Sequence, residues 1–162
     1  MAAGPQEKRT AAQAASGRLV REFGQLLRAT TRLEQRINTA LREECGISHV
    51  MFEVLIRLCR DPGEQVSQRT LADDLVLTSG GITRLVDRME EAGTVRRRPS
   101  PSDRRVTLVE ATRQGERILL AAAEVHARIL ERYFTGPLAE DEHHRLITAL
   151  DRINTALRDA PA

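Results

Sequence analysis

Arginine side chains that could bind a negatively charged partner are concentrated in one short part of the sequence. Residues 96–98 are three consecutive arginines, and Arg104 and Arg105 follow shortly afterwards. Between residues 93 and 109 the only acid is Asp103, whereas the rest of the chain is close to neutral. Because guanidinium groups displace counterions from phosphates, this local excess predicts a phosphate-binding surface. The three consecutive arginines could equally form a solvated strand face, and that alternative stays open.

The segment just before these arginines predicts a helix with two contrasting faces. Four apolar residues recur at helical spacing and would turn inward: Ile82, Leu85, Val86 and Met89. Small, polar and charged residues remain on or near the opposite face: Ser79, Gly80, Thr83, Arg84, Asp87 and Arg88. A helix that enters a DNA major groove needs both faces, one to hold it on the protein and one to meet base edges.

Two glycines stand at the start of this predicted helix. Gly80 and Gly81 would each cost about 1 kcal/mol relative to alanine in a helix interior, but less at its first turn. Without side chains there, the backbone could approach a phosphate or a base edge closely. Taken alone, the same residues could instead be a plain N-terminal loop with polar surface residues.

Residues 94–98 and 105–109 predict two strands, and the turn-rich residues 99–103 predict the bend between them. The result is a β-hairpin with a basic tip. An arginine at such a tip suits the narrow, negative minor groove beside the major groove. Asp103 could hold the guanidinium of Arg104 or Arg105 in a fixed pose through a bidentate contact. Helix and hairpin would then grip a duplex together.

Short helices with N-capping residues precede the two-faced helix. Ser48 predicts the start of a helix that ends at Asp61-Pro62-Gly63, and its inward residues are Met51, Val54, Leu55 and Leu58. Ser67 predicts a short helix through Leu71, Ala72 and Leu75. Thr78 or Ser79 opens the next helix, which Gly93 closes. Two short helices about three residues apart predict a helix-turn-helix.

Longer amphipathic helices flank this region. One has Leu19, Phe23, Leu26, Thr30, Leu33 and Ile37 on one face and ends near Gly46. Another begins at Thr112, carries Ile118, Ala122, Val125, Ile129 and Tyr133, and stops at Gly136-Pro137. A last helix carries Leu146, Leu150, Ile153 and Leu157. These stripes exceed what a small central module could cover, so we expect a homodimer; a bundle within one chain is the alternative.

The composition bounds the fold and the compartment. A chain of 162 residues suits one domain with extended terminal helices. Hydrophobic residues make up 41% of the chain but aromatics only 2%, which favours packed aliphatic helices. The N-terminus lacks a signal-peptide core, and no apolar run reaches the ~20 residues that span a bilayer. We expect a mainly α protein with a small hairpin, located in the cytoplasm.

The sequence gives little support for a metal site, an oxidant-sensing cysteine or an enzyme. The four histidines lack a helical pair at metal-ligand spacing: His49, His126, His143 and His144. Cys45 and Cys59 each lack a second cysteine at such spacing, and buried structural thiols are favoured over oxidant sensors. No phosphate-binding glycine loop or serine elbow is present. We therefore expect no metal, no cofactor and no enzymatic activity.

One long motif resembles a known family. Residues 81–93 read GITRLVDRMEEAG, residues 101–105 read PSDRR, and residues 111–115 read ATRQG. Together they resemble the signature of the multiple-antibiotic-resistance (MarR) type of regulators, and the flanking helices agree in order and length from about residue 18 to 160. Two positions depart from the family pattern, since Thr94 replaces an apolar residue and Ala111 a leucine; both predict looser hairpin packing.

The resemblance implies a winged helix-turn-helix dimer that regulates transcription. Arg84 would read the major groove, and Arg105 or Arg104 would enter the minor groove. The full set of DNA-binding residues expected is Ser67, Gln68, Arg69, Thr78, Ser79, Gly80, Thr83, Arg84, Arg88, Arg98, Asp103, Arg104 and Arg105. Two recognition helices about 34 Å apart imply a pseudo-palindromic operator. The alternative is a dimeric helical module that binds a ligand or a protein without using DNA.

The family resemblance also implies a division of the chain and a mode of control. By composition residues 1–17 are predicted to be a flexible arm or a loosely formed helix. The resemblance implies that residues 18–46 are an N-terminal dimerisation helix, residues 47–111 the DNA-binding lobe and residues 112–160 the C-terminal dimerisation helices. The protein would be a repressor that a small phenolic or anionic effector releases from DNA. The sequence does not name that effector.

Overall fold

The computed structural model describes residues 10–103 and 105–159, so Arg104 and the first part of the predicted arm lie outside it. Residue contacts divide the chain into two compact units, residues 1–35 and residues 36–162. The helix α2 (Arg18–Cys45) includes the boundary between them. Among the described residues, no helix is both long enough and apolar enough to cross a membrane.

The first unit contains a short helix α1 (Ala11–Ala15) and the first part of α2. Thr10 caps α1, because its hydroxyl accepts a hydrogen bond from the Gln13 backbone N–H while the Gln13 side chain accepts one from Thr10. Large apolar side chains of this part of α2 are exposed: Leu19, Val20, Phe23, Leu26 and Leu27. The first part of the predicted apolar stripe, from Leu19 to Leu26, is therefore exposed, whereas Leu33 is half-buried and Ile37 is buried.

Four of the predicted helix starts in the second unit are confirmed by their caps. Ser48, Ser67, Thr78 and Thr112 each accept a hydrogen bond from a backbone N–H three residues later. The helices that follow are α3 (His49–Cys59), α4 (Gln68–Asp74), α5 (Ser79–Glu91) and α6 (Arg113–Leu130). After α6 come one π-helical turn (Glu131–Thr135) and α7 (Glu140–Asp159).

The core of the second unit is aliphatic, as the composition predicts. Its largest fully buried side chains are Leu41, Val54, Leu55, Leu71, Ile82, Val86, Met89, Val95 and Val109. In α3 the predicted inward face is partly wrong, because Phe52 is buried whereas Met51 and Leu58 are only half-buried. The Phe52 ring lies 4.9 Å from that of His126 on α6, so this helix packs over a wider arc than one stripe.

The hairpin consists of β1 (Val95–Pro99) and β2 (Thr107–Ala111), which pair antiparallel with Val95 opposite Ala111. The predicted second strand, residues 105–109, starts too early. The Val106 N–H donates to the Asp103 carbonyl, so these residues belong to the turn. The Val109 N–H also donates to the Val66 carbonyl, a contact distant in sequence that holds β2 from its other edge.

The two departures from the family pattern have different environments. Thr94 is buried, and its hydroxyl donates to the Met89 carbonyl at 2.9 Å, so no polar group is left unsatisfied. The expected looseness is therefore wrong at this position. Ala111 is half-buried at the end of β2. Close packing continues next to it, because a Cβ on Gly115 would lie 2.1 Å from the Thr94 carbonyl oxygen.

The turn between α4 and α5 contains a strained residue. Val76 has a φ of +53°, in the left-handed region that β-branched residues avoid, and its side chain is 92% exposed. Since nothing packs on the side chain to offset the strain, we expect Val76→Gly to raise the free energy of unfolding by about 1 kcal/mol. Chemical denaturation at fixed protein concentration measures this.

The matched control is Val76→Ala, which removes the branched side chain but keeps a Cβ. We expect this variant to gain much less than Val76→Gly, because most of the strain comes from the Cβ itself. Equal stabilities of the wild type and Val76→Gly would show that the turn is not strained.

Candidate nucleic-acid interface

The helix α5 has the two faces that its sequence predicts. Ile82, Leu85, Val86 and Met89 are buried, so the opposite face lies at the surface. The exposed residues on or near that face are Thr78, Ser79, Gly80, Thr83, Arg84, Asp87 and Arg88. Among the described residues, no carboxylate pairs with the Arg84 guanidinium, which leaves its hydrogen-bond donors available to a base or a phosphate.

The two glycines at the start of α5 differ in what surrounds them. A Cβ added to Gly80 would meet no atom within 4 Å, so this position is open to close approach from outside. A Cβ on Gly81 would lie 3.1 Å from the Thr78 hydroxyl oxygen that caps the helix. The interpretation of the glycines as a pair for close approach therefore fits Gly80, whereas Gly81 makes room for the cap.

A hydrogen bond joins the two helices of the helix-turn-helix on this surface. The Gln68 side-chain amide donates to the Thr83 hydroxyl at 2.6 Å, and the same hydroxyl donates to the Ser79 carbonyl. Ser67 is half-buried, and its hydroxyl contacts the Thr70 hydroxyl at 2.8 Å in addition to capping α4. Of these side chains, only that of Thr83 is fully at the surface.

Arg97 fastens the hairpin to α5. Its guanidinium donates to Glu90 at 2.7 Å and to Asp87 at 2.6 Å, and its backbone N–H donates to Glu90 at 2.9 Å. It also reaches the Gln68 side-chain oxygen on α4 at 3.3 Å. We call this set of contacts the Arg97 clasp. The hydrogen bonds from the backbone N–H and the guanidinium of Arg97 lower the pKa of the Glu90 carboxyl.

Glu110 pairs with both of the other consecutive arginines. It lies opposite Arg96 across the hairpin, with an ion pair of 2.9 Å, and also pairs with Arg98. Hydrogen bonds from Arg98, and then from Arg96, lower the pKa of the Glu110 carboxyl. Counting acids only between residues 93 and 109 misses Asp87, Glu90 and Glu110, because all three lie outside that range. Arg98 as a DNA contact stays a prediction.

The hairpin tip carries an exposed arginine next to Asp103. The side chain of Arg105 is 93% exposed, and its Nε lies 3.4 Å from Asp103 Oδ1. The same oxygen accepts the Arg105 backbone N–H at 3.0 Å. For Arg105 the predicted bidentate grip is therefore wrong, because one carboxylate oxygen serves the backbone and the side chain together. Arg104 lies outside the described residues.

Residues at the start of α4 and at the hairpin tip line a shared cleft of about 390 Å³. Ser67, Gln68 and Arg69 form one side, and Arg105 forms part of the other. The Arg69 side chain is 92% exposed and lies 4.0 Å from its nearest acid, Asp73. The structure thus brings the exposed guanidinium groups of Arg69 and Arg105 to the rim of one concave surface, although they are distant in sequence. Two positive charges on a concave surface suit the phosphate backbone of a nucleic acid.

The histidines and cysteines occupy other environments. The rings of His49 and His126 stack at 5.5 Å, and His143 meets Phe134 edge-on. In the described part of the chain, no three potential ligands are grouped to hold a metal ion. Both cysteines are half-buried, and burial raises the pKa of the Cys45 and Cys59 thiols. A raised pKa favours the unreactive thiol over the thiolate that an oxidant sensor needs.

Comparison with known proteins gives a consistent result. The sequence model of the MarR family matches residues 47–107. The HTH-type transcriptional regulator MhqR of Bacillus subtilis is 30% identical over 128 residues, which cover 79% of this chain and 86% of MhqR. CouR from Rhodococcus jostii RHA1, solved with p-coumaroyl-CoA, is 32% identical with a TM-score of 0.72, covering 85% and 95% of the two chains.

A structure of Sco3205, a MarR family regulator from Streptomyces coelicolor in complex with DNA, shares the fold. Its TM-score is 0.79 at 23% identity, and the match covers 95% of each chain. The similarity therefore extends well beyond the matched lobe and includes the flanking helices.

The Arg97 clasp leads to a prediction about stability. Arg97→Ala would leave Asp87 and Glu90 facing each other without their shared cation, and we expect a loss of about 1–2 kcal/mol in the free energy of unfolding at pH 7. The control is Arg96→Ala, whose side chain is 68% exposed and whose partner keeps Arg98. It should change stability by less than about 0.5 kcal/mol.

The pH dependence of the free energy of unfolding of wild type and Arg97→Ala gives a second prediction. Because Arg97 lowers the pKa of Glu90 in the folded state, its contribution is present above the ordinary glutamate pKa and is lost as the pH falls. The stability difference between wild type and Arg97→Ala should therefore shrink below about pH 4. A difference that stays constant across this range would contradict the assignment.

Proposed function

The chain belongs to the MarR family of transcriptional regulators, and on that basis we propose that it binds a specific double-stranded DNA sequence through α5 and the hairpin. One observation carries the proposal: the buried face of α5 and the Arg97 clasp hold a polar helix face and a basic hairpin in one fixed arrangement. A rigid pair of elements can meet two adjacent grooves at once without an ordering cost on binding.

We assign the following roles on the major groove side. Arg84 donates to a base edge, since an arginine can bind guanine through two parallel hydrogen bonds. Thr83 and Arg88 lie one position before it and one turn after it, and Ser79 and Gly80 let the helix start approach the backbone. Thr78 caps the helix and fixes where these groups begin.

The remaining residues are proposed to bind phosphates or the minor groove. Arg105, together with Arg104, would enter the minor groove from the hairpin tip, with Asp103 shaping the turn that presents them. The helix start at Ser67, Gln68 and Arg69 would meet the backbone between the two grooves, as would Arg98 from the strand. These contacts position the protein without reading sequence.

We propose that the working form is a homodimer. Exposed apolar side chains in the first unit and on α7, such as Phe23, Ile153 and Leu157, would be covered by a second copy. Residues 18–46 and 112–160 would supply this interface, and residues 47–111 the DNA-binding lobe. The twofold symmetry would demand a pseudo-palindromic operator. Residues 1–17 would remain an arm without an assigned role.

The proposal about regulation rests on the structural relatives of this chain rather than on the residues of the proposed DNA interface. CouR has been solved with p-coumaroyl-CoA, and CouR and Sco3205 are both regulators that form DNA complexes. We propose a repressor that a small phenolic or anionic effector releases, with no catalytic activity and no cofactor. Because it would bind the chromosome, its proposed compartment in a bacterium is the cytoplasm. A helical module that binds a ligand or protein without DNA is the competing function.

The test of DNA readout compares two DNA duplexes. With the region upstream of the protein's own coding sequence as operator, Arg84→Ala should weaken binding by about 1–3 kcal/mol and should affect random DNA of the same length much less. Arg69→Ala should weaken binding to both duplexes alike, because it would contact phosphate only. Fluorescence anisotropy at several salt concentrations measures all of these affinities.

The control variant is Arg145→Ala, since Arg145 pairs with Asp141 on α7 outside the lobe. It should leave both affinities unchanged. Equal losses on operator and random DNA for Arg84→Ala would refute base reading, and no affinity for either duplex at low salt would favour the competing function.

Light scattering after gel filtration tests the dimer. We expect a particle with the mass of two 18.1-kDa chains, and Phe23→Glu or Leu157→Glu should shift it toward one chain because a charge would enter the apolar interface. Val76→Asn, at an exposed apolar position in the helix-turn-helix, is the control and should keep the dimer. A wild-type mass of 18.1 kDa would support a bundle within one chain instead.

A further inference from the structure

An open cleft of about 520 Å³ lies at the base of the hairpin, away from the proposed DNA contacts on α5. The C-terminal end of α3 and the residues after it form one wall, the two strands form the second, and the first half of α6 forms the third. We call it the wing cleft. Its volume is in the range of pockets that hold small organic molecules.

Aliphatic side chains line much of the wing cleft. Leu58 comes from α3, Val109 and Ala111 come from β2, and Leu119 and Leu120 come from α6. Leu120 is 70% exposed although it stands beside this concave surface. A large apolar side chain at the edge of a cleft offers surface that a bound apolar group would remove from water.

The charged groups of the wing cleft are mostly acidic. Glu64, Glu110 and Glu116 line it, whereas Arg98 is its one basic group in the described residues. Arg98 is already paired with Glu110. Glu64 is paired with Arg57, but Glu116 forms no ion pair with any residue that the structure describes. The lining therefore keeps a negative charge beside its apolar wall.

Cys59 also lines the wing cleft, close to the charge of Glu116. Burial first, and then the negative charge of Glu116, raise the pKa of Cys59. The field of Glu116 thus extends into the cleft rather than only outward to solvent.

From the aliphatic wall and the unpaired carboxylate we infer that the wing cleft binds a lipophilic organic cation. The apolar body of such a molecule covers Leu119 and Leu120, and its positive centre lies near Glu116. An anion of the same size would meet the repulsion of the same carboxylate, so the site selects for the sign of the charge.

Binding in the wing cleft can also change the arrangement of the hairpin. Glu110 joins Arg98 and Arg96 across the strands, and Arg98 lines the same cleft, so a positive charge near Glu116 repels the Arg98 guanidinium of this network. Binding therefore shifts the hairpin between two arrangements to the extent that the cation prefers one of them. This second step rests on the proposed DNA binding, whereas binding of the cation does not.

Two probes of almost the same shape and opposite charge test the site. Calorimetry with the full chain should show saturable binding of tetraphenylphosphonium, one per chain, and at least tenfold weaker binding of tetraphenylborate. Equal binding of the two probes, or no binding of the phosphonium, would overturn the proposal. Binding of the phosphonium should also weaken as salt rises.

Variants locate the probe. Glu116→Gln should weaken phosphonium binding about fivefold and leave borate binding the same or stronger. Leu120→Ser should weaken it as well, and Glu124→Gln, an exposed acid further along α6, is the matched control and should have no effect. Circular dichroism checks that each variant is folded. Equal effects of the two glutamate variants would show only general attraction to an acidic surface and would overturn the site.

The DNA arm of the experiment separates the two steps. Saturating phosphonium should lower the affinity for the upstream duplex several-fold in wild type and not in Glu116→Gln. Unchanged affinity in wild type, with phosphonium bound, would overturn the coupling while the cation site stands. Absence of DNA binding without any probe would refute the proposed function and leave the calorimetric result intact.

Discussion

A half-buried guanidinium links the hairpin to α5. Arg97 lies between Asp87 and Glu90 on α5 and also reaches Gln68 on α4, so a single side chain ties three elements together. A planar group with five donors can do this, whereas a lysine could not meet as many acceptors in fixed directions. The hairpin and the polar face of α5 are oriented relative to each other through this contact and through the apolar face of α5 beneath it.

Charge pairing at the hairpin decides which arginines remain available. Three consecutive arginines suggest a strongly basic strand, but Asp87, Glu90 and Glu110 compensate them within the fold. The exposed guanidinium groups of Arg69 and Arg105 instead lie at the ends of elements, on the rim of a shared cleft. Arg97 therefore helps to build the lobe, whereas Arg69 and Arg105 are exposed to meet phosphates, and composition alone cannot make this distinction.

Local chemistry explains what the sequence could predict. The caps at Ser48, Ser67, Thr78 and Thr112 act within three residues, so helix starts follow directly from the residues present. The limits of β2 depend on a backbone contact with Val66, and the fate of Arg97 depends on α5, both of which require the folded chain. Asp87 and Glu90 stand on α5 shortly before the three arginines, and the Arg97 clasp could have been predicted from them.

The junction between the lobe and α6 is tightly closed. Gly115 has no room for a side chain above the Thr94 carbonyl, and the Thr112 hydroxyl donates to the Gly93 carbonyl at 2.6 Å, which fastens the start of α6 to the end of α5. Because these contacts lie at the start of α6, a displacement of that end would also move the end of the helix proposed to lie in the groove.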